Sequence, residues 1–363
     1  VRLMIDAHLD LAWNALSFNR DQTEPIESIN EREVGMTDSP ARASACVSLP
    51  EMRQGGVAVC LATVLSRAKR EVQPASGHLR CNLDFGTQEI AFATGSGQLA
   101  YYRILEQQGE VFQIRTSGDL DQIWARWNQA EGGQLPIGYI LAMEGADPIV
   151  EPSQAAYWWD EGLRSLILAH YGQGHYSDGT GGSGGLTPKG KQLLREIETL
   201  GMILDLTHSN DRSFAESLDS FGGPVMASHT NCRTLVPGGR QFTDEQIQAL
   251  VDRQAVIGVA CDAWMMKAGW EIGRSLPDGL TLAALVDQID HYCQLAGSAD
   301  YVAIGSDLDG GFGANQRPED IQSIADLQSV APLMLERGYS EADVDKVFHG
   351  NWLRFFREHL PSS

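Results

Sequence analysis

The chain is poor in cysteine, and its cysteines are scattered. Six occur in 363 residues, at Cys46, Cys60, Cys81, Cys232, Cys261 and Cys293, and none belongs to a C-x-x-C pair. This argues against a disulfide framework and against a thiolate zinc site. Cys60 in VAVCLATV and Cys261 in VIGVAC sit in apolar runs, which suits buried free thiols. Long hydrophobic runs are also missing: no stretch approaches the ~20 apolar residues that span a bilayer. No leader pattern opens the chain and no anchor pattern closes it, so the expected setting is cytoplasmic, without a membrane anchor. Basic residues are scarce: 27 Lys and Arg face 48 Asp and Glu, a net charge of −21. Such a field repels phosphate backbones and anionic headgroups, so nucleic acid is not an expected partner. A nucleophile motif is lacking as well. There is no G-x-S-x-G, and no cysteine lies in a convincing catalytic setting.

What is present is a rhythm of short apolar runs separated by amphipathic stretches. Strands are expected at 3–6, 57–64, 139–143, 165–169, 202–206, 224–228, 256–261 and 302–305. Several are apolar on both faces, as parallel strands covered on both sides are. Helices are expected at 189–201, with Gly201 as its stop, and at 243–254, with Thr243 and Gln246 as a capping box. Further helices are expected at 282–296 and 321–337. Eight strands alternating with helices predict an α/β fold, a distorted (β/α)8 TIM barrel, with an open doubly wound sheet as the rival. The whole chain, 1–363, reads as one barrel domain. The polar segment 20–45 reads as an insertion after the first strand. The glycine-rich segment SDGTGGSGGL at 177–186 reads as a loop after the fourth.

Metal-binding residue types recur where these strands end, and in a barrel those ends share one face. His8 and Asp10, two apart, point to one side of an extended chain and could chelate a cation. Alone, a solvated turn explains them as well. Glu144 follows an apolar strand in YILAMEGADP, where a carboxylate is costly unless paired, capping or metal-bound. His208 in MILDLTHSN and His229 in PVMASHTN repeat one form, and His170 in SLILAHYG repeats it again. Asp307 in YVAIGSDLDGG emerges at a strand mouth, with a turn-capping role as the plain alternative. Together, His8, His208 and His229 with Asp10, Glu144 and Asp307 supply three imidazoles and three carboxylates, enough for two divalent ions sharing a bridge, which would activate water and polarise a carbonyl.

These pieces resemble the membrane (renal-type) dipeptidase family of the amidohydrolase superfamily. The similarity runs through IDAHLDLAW, LAMEGADPI, LRSLILAHYG, GLTPKGKQLLREIETLGMILDLTHSN, VMASHTNCR, IGSDLDGG and GNWLR, in order along nearly the whole chain. The resemblance implies a zinc-dependent dipeptidase with two ions. His8, Asp10 and Glu144 would hold one, and Glu144, His208 and His229 the other. It implies attack by a metal-bridging hydroxide, Asp307 as the proton shuttle, and His170 at the scissile carbonyl oxygen. Arg240 would hold the substrate's C-terminal carboxylate, with Arg233 as a nearer rival. A D-residue is expected to be tolerated at the C-terminal position, and a homodimer is expected. Lactone or N-acyl amino acid hydrolysis on the same site is the alternative activity. Two departures stand out: Gly145-Ala146-Asp147 replaces a frequent Gly-Gly-His, and the loop Gly179 to Gly185 has no counterpart.

Overall fold

The computed structural model describes residues 1–69, 82–129 and 134–362. Eight parallel strands curl into a barrel: β1 (Met4–Leu9), β2 (Val57–Val64), β3 (Ile137–Glu144), β4 (Leu163–Ile167), β5 (Ile203–Asp205), β6 (Val225–Met226), β7 (Ile257–Val259) and β8 (Val302–Ile304). Consecutive strands pair from β1 to β6, a single parallel bridge from Ala227 to Ile257 joins β6 to β7, and β7 pairs β8. The (β/α)8 expectation holds. A short strand, Val111–Gln113, adds to β3 on the outside. Strands β1, β2 and β3 are buried along their full length, which is why their sequences read as continuous apolar runs.

The barrel is distorted where buried acids replace ladder bonds. At the β8–β1 seam the Asp6 carboxylate accepts from Ser306 N–H at 2.8 Å and from His8 N–H at 3.2 Å. Asp307 N–H closes the ring onto the His8 carbonyl at 3.3 Å. At β5–β6 the Asp205 carboxylate accepts from Thr207 N–H at 3.0 Å and Ser228 N–H at 3.1 Å. Once the side chain takes these N–H groups, the ladder ends, so β5 and β6 are shorter than the sequence predicts. Gly258 and Gly305 face one another across the carbonyl of Ser228, and a β-carbon on either would collide with it. Backbone from three strands thus fills a level that side chains normally fill.

Three of the four expected helices, 189–201, 243–254 and 282–296, form with ends within two residues of those expected. Helix α1 (Pro188–Leu200) starts at Thr187, whose hydroxyl accepts from Gly190 N–H, and stops at Gly201 with φ 78°. Helix α2 (Asp244–Asp252) carries the Thr243–Gln246 capping box. The stretch 321–337 divides into a 3₁₀ segment, Ile324–Ser329, and a helix, Val330–Glu336. Pro332 has no N–H to complete an α turn across that junction. Helix Gln88–Gln107 was not expected; its Gly95 packs so closely on Val64 and Pro148 that a β-carbon would be crowded.

The 20–45 segment is tied down from within. Arg20 and Arg42 both pair with the buried Glu33 at 2.8 Å. It reaches the loop beyond β8, where Arg317 donates to the Ser44 carbonyl at 2.7 Å. The five described cysteines are free and buried, as expected; Cys81 lies outside the described residues.

Candidate metal centre

Each strand end delivers its residue by a short, repeated path. Glu144 is the last residue of β3, and His8 lies in β1 with Asp10 just past it. His170, His208, His229 and Asp307 each fall three residues beyond the last residue of β4, β5, β6 and β8. The structure brings all of the sequence-derived candidates to one mouth. Four imidazole Nε2 atoms surround a single carboxylate oxygen, Glu144 Oε1: His208 at 3.1 Å, His229 at 3.3 Å, His8 at 3.5 Å and His170 at 3.6 Å. His8 Nε2 is also 3.8 Å from Asp10 and 4.0 Å from Asp307. Two of these residues hold backbone conformations that L-residues rarely adopt, His208 at φ 65° and Asp307 at φ 55°. Such outliers persist where the surroundings over-determine them, as at functional sites.

The supporting contacts come from residues the sequence did not single out. Asp10 accepts from the Thr63 hydroxyl of β2, and its N–H donates to Asp309 at 2.8 Å. His229 Nδ1 lies 2.8 Å from the Ser228 hydroxyl. His208 Nδ1 lies 3.2 Å from the hydroxyl of Thr180, which belongs to the glycine-rich loop. His170 Nδ1 lies 3.2 Å from Arg67 Nη1. Counting three residues beyond β7 lands on Asp262, a buried acid that accepts from Trp264 Nε1 at 2.7 Å and from Gln316. That offset was the signal that could have found it. Arg240 is 2% exposed and donates to the His229 carbonyl at 2.8 Å, beside the cluster. Arg233, its rival, instead pairs with Asp211 at 2.6 Å on the outside. Asp147, the departure after Glu144, accepts from Ala68 N–H and meets His175 Nδ1 at 2.9 Å.

The electrostatics are those of crowded acids and sheltered imidazoles. Burial pushes Asp10 and Asp307 well above the usual carboxylate range, and the Glu144 charge adds to it. Burial opposes charge on Glu144 too, but the surrounding imidazoles outweigh it and hold its carboxyl well below that range. Burial opposes charge on His8, yet Glu144, Asp10 and Asp307 raise it to about 10. His208 and His229 are held well below the usual value by burial. Burial lowers His170 to about 3, against the pull of Glu144. The neutral imidazoles of His208 and His229 beside clustered carboxylates suit a divalent cation, which would take the place of the His8 proton.

A direct test of metal fit is His8 Nε2. It is buried, makes no hydrogen bond, and faces three carboxylates. A buried ring nitrogen without a partner calls for an explanation, and a cation supplies one. Three groups of possible ligands lie together: His8, Glu144 and His229; Glu144, His170 and His208; His8, Asp10 and Asp307. The mixed nitrogen and oxygen set suits a cation of borderline softness.

The family model for membrane dipeptidase, peptidase family M19, matches residues 2–361. The chain belongs to that family. Dipeptidase tcpJ of Claviceps purpurea is 29% identical over 204 residues, 54% of this chain and 45% of the relative. The chain spans about half the length of the curated relatives it matches. Among solved structures, dipeptidase AC, a metallo peptidase of family M19, superposes with a TM-score of 0.78 at 20% identity, covering 99% of both chains. A metallo peptidase of Rhodobacter sphaeroides, liganded with a phosphinate mimic of L-Ala-D-Ala, superposes with a TM-score of 0.77 at 20% identity and the same coverage. These likenesses confirm the barrel fold. Family membership and the ligand clusters together support use of a divalent metal. Among the described residues, no helix is long and apolar enough to cross a membrane.

Proposed function

We propose that the protein is a zinc-dependent dipeptidase. The observation that carries the reading is the convergence of His8, His208 and His229 on Glu144 Oε1, with Asp10 and Asp307 alongside, in a chain that matches the family from end to end. His8, Asp10 and Glu144 would hold one ion, and Glu144, His208 and His229 a second. Zinc fits this donor set. When bound, two such ions would acidify water between them and polarise the scissile carbonyl.

The chain's own groups would do the rest. The Arg240 fork would hold the substrate's C-terminal carboxylate through N–H groups its protein bonds leave over. His170 would face the carbonyl oxygen as that atom gains charge. Asp307 would take the proton of the attacking water and pass it to the leaving amine as the C–O bond forms and the C–N bond breaks. A raised carboxyl suits the first half of that task, since it takes up a proton readily. No covalent enzyme intermediate is required. A D-residue at the C-terminal position belongs to the reading, and the L-Ala-D-Ala mimic held by the Rhodobacter sphaeroides protein supports including it. The homodimer reading draws on the exposed Leu16, Met36 and Ile104, which rim an open cavity of about 1000 Å³ on the outer face.

The test is a screen of L,L, L,D and D,L dipeptides on zinc-loaded protein, with lactones and N-acyl amino acids alongside. Zinc-dependent cleavage within the dipeptide set is expected. Turnover of lactones or N-acyl amino acids without any dipeptide cleavage would replace this reading with the alternative amidohydrolase activity.

A further inference from the structure

Arginine has hydrogen-bond donors and no acceptor. Arg67 Nη1 lies 3.2 Å from His170 Nδ1, so that ring nitrogen accepts and carries no hydrogen. In a neutral imidazole the hydrogen must then sit on Nε2. We propose that Arg67 is a positioning residue that fixes His170 as an Nε2–H donor. This bars His170 from metal coordination and leaves it able to donate to the oxygen that gains charge when the peptide bond opens. Only that last clause rests on the dipeptidase reading.

The surroundings support the assignment. Arg67 lies three residues beyond the last residue of β2, in a two-residue strand (Arg67–Ala68) paired with Asp84–Phe85, and Asp84 grips its other edge through Nε and Nη2, both at 2.7 Å. This bidentate clamp fixes the guanidinium plane and leaves Nη1 aimed at His170. His170 Nε2 lies 3.6 Å from Glu144 Oε1. By distance alone His170 joins Glu144 and His208 as a possible ligand. The hydrogen-bond pattern removes it from that group. His208, whose ring meets His170 edge-on at 4.2 Å, has the opposite wiring. The Thr180 hydroxyl faces both His208 Nδ1 and the His208 carbonyl, each at 3.2 Å. A hydroxyl that gives its hydrogen to the carbonyl accepts from Nδ1–H, which leaves a lone pair on Nε2. Two adjacent imidazoles are thus held in opposite tautomers, one a donor and one a ligand.

Long-range proton–nitrogen spectra of zinc-loaded, ¹⁵N-histidine protein test this directly, with His170→Gln supplying the assignment. The expected form of His170 is Nε2–H. Arg67→Met, which keeps the stem and loses the donors, should release the ring from that form. It should lower kcat about 10–100-fold with KM and zinc content little changed. Arg67→Lys, which still donates, should recover most of the loss. A hydrogen on Nδ1 in the unaltered protein would overturn the proposal. So would zinc loss in Arg67→Met, or an unchanged tautomer and kcat. If Arg67→Met does not fold, Asp84→Asn loosens the same clamp and is read by the same spectra. Should no dipeptide be cleaved at all, the function fails while the spectra still decide the role of Arg67.

Discussion

Thr180 and His208 are joined twice: one hydroxyl lies 3.2 Å from the ring Nδ1 and 3.2 Å from the carbonyl oxygen of the same residue. The glycine-rich loop makes this possible. Gly179 runs against the His170 carbonyl where a β-carbon has no room, and Thr180 N–H donates to that carbonyl at 3.0 Å. Thr180→Val should therefore weaken zinc binding about 10–100-fold, as loss of a ligand's outer hydrogen bond commonly does. Thr180→Ser should restore it. Competition with a chromophoric chelator measures both. Equal affinity in the valine variant would mean that the loop only covers the site.

Asp307 carries two costs, a left-handed backbone and a buried carboxyl. Asparagine tolerates that backbone and brings no charge. Asp307→Asn should keep zinc, raise the thermal midpoint and lower turnover about 10²–10⁴-fold, the usual span of a lost general acid–base group. Full activity in this variant would remove Asp307 from proton transfer.

Arg240 and the substrate carboxylate should be coupled. A charge-assisted hydrogen bond contributes about 1.5–3 kcal/mol, so Arg240→Met should lower kcat/KM roughly 10–100-fold for dipeptides. Dipeptide amides, poor substrates at the outset, should lose far less. Because Arg240 also braces the His229 carbonyl, zinc content must be checked in parallel. An equal loss on acids and amides would assign Arg240 to bracing alone.

Asp262 predicts a pH dependence of stability. Burial raises its pKa from 3.8 to about 7 in the folded protein. Between those values the folded state binds more protons than the unfolded chain, so this residue's contribution to stability falls as pH rises through the window and levels off above it. Asp262→Asn should then be matched with the parent near pH 4 and gain in thermal midpoint towards pH 8. A difference that stays flat across this range would show that Asp262 does not titrate there.

Much of the barrel was legible because its signals are local. The unbroken apolar run 57–64 is β2 to the residue, and Thr243 with Gln246 marked the start of α2. Helix Gln88–Gln107 was hidden by Gly95 and Gly97, residues that weaken a helix on their own; Gly95 is accommodated by close packing on Val64 and Pro148, whereas Gly97 faces open space. The lengths of β5 and β6 were illegible because Asp205 captures the Ser228 N–H from a second strand along with that of Thr207 in its own segment. The same division holds at the site. Residues at strand ends, His8, Glu144, His208, His229 and Asp307, stood out by position. Arg67 and Thr180 did not, since each meets its histidine across a wide gap in sequence, 103 and 28 residues.

The wedge formed by the Ser228 carbonyl between Gly258 and Gly305 has a consequence for how this protein can vary. In most barrels the bore at the catalytic end is set by side chains, and exchanging them changes it. Here main chain meets main chain just past the ends of the strands that carry His229 and Asp307. The spacing of those two groups is therefore a property of peptide geometry, insulated from core substitutions. Selectivity among substrates is left to the loops above, Thr180's among them, while the reacting groups stay at one gauge.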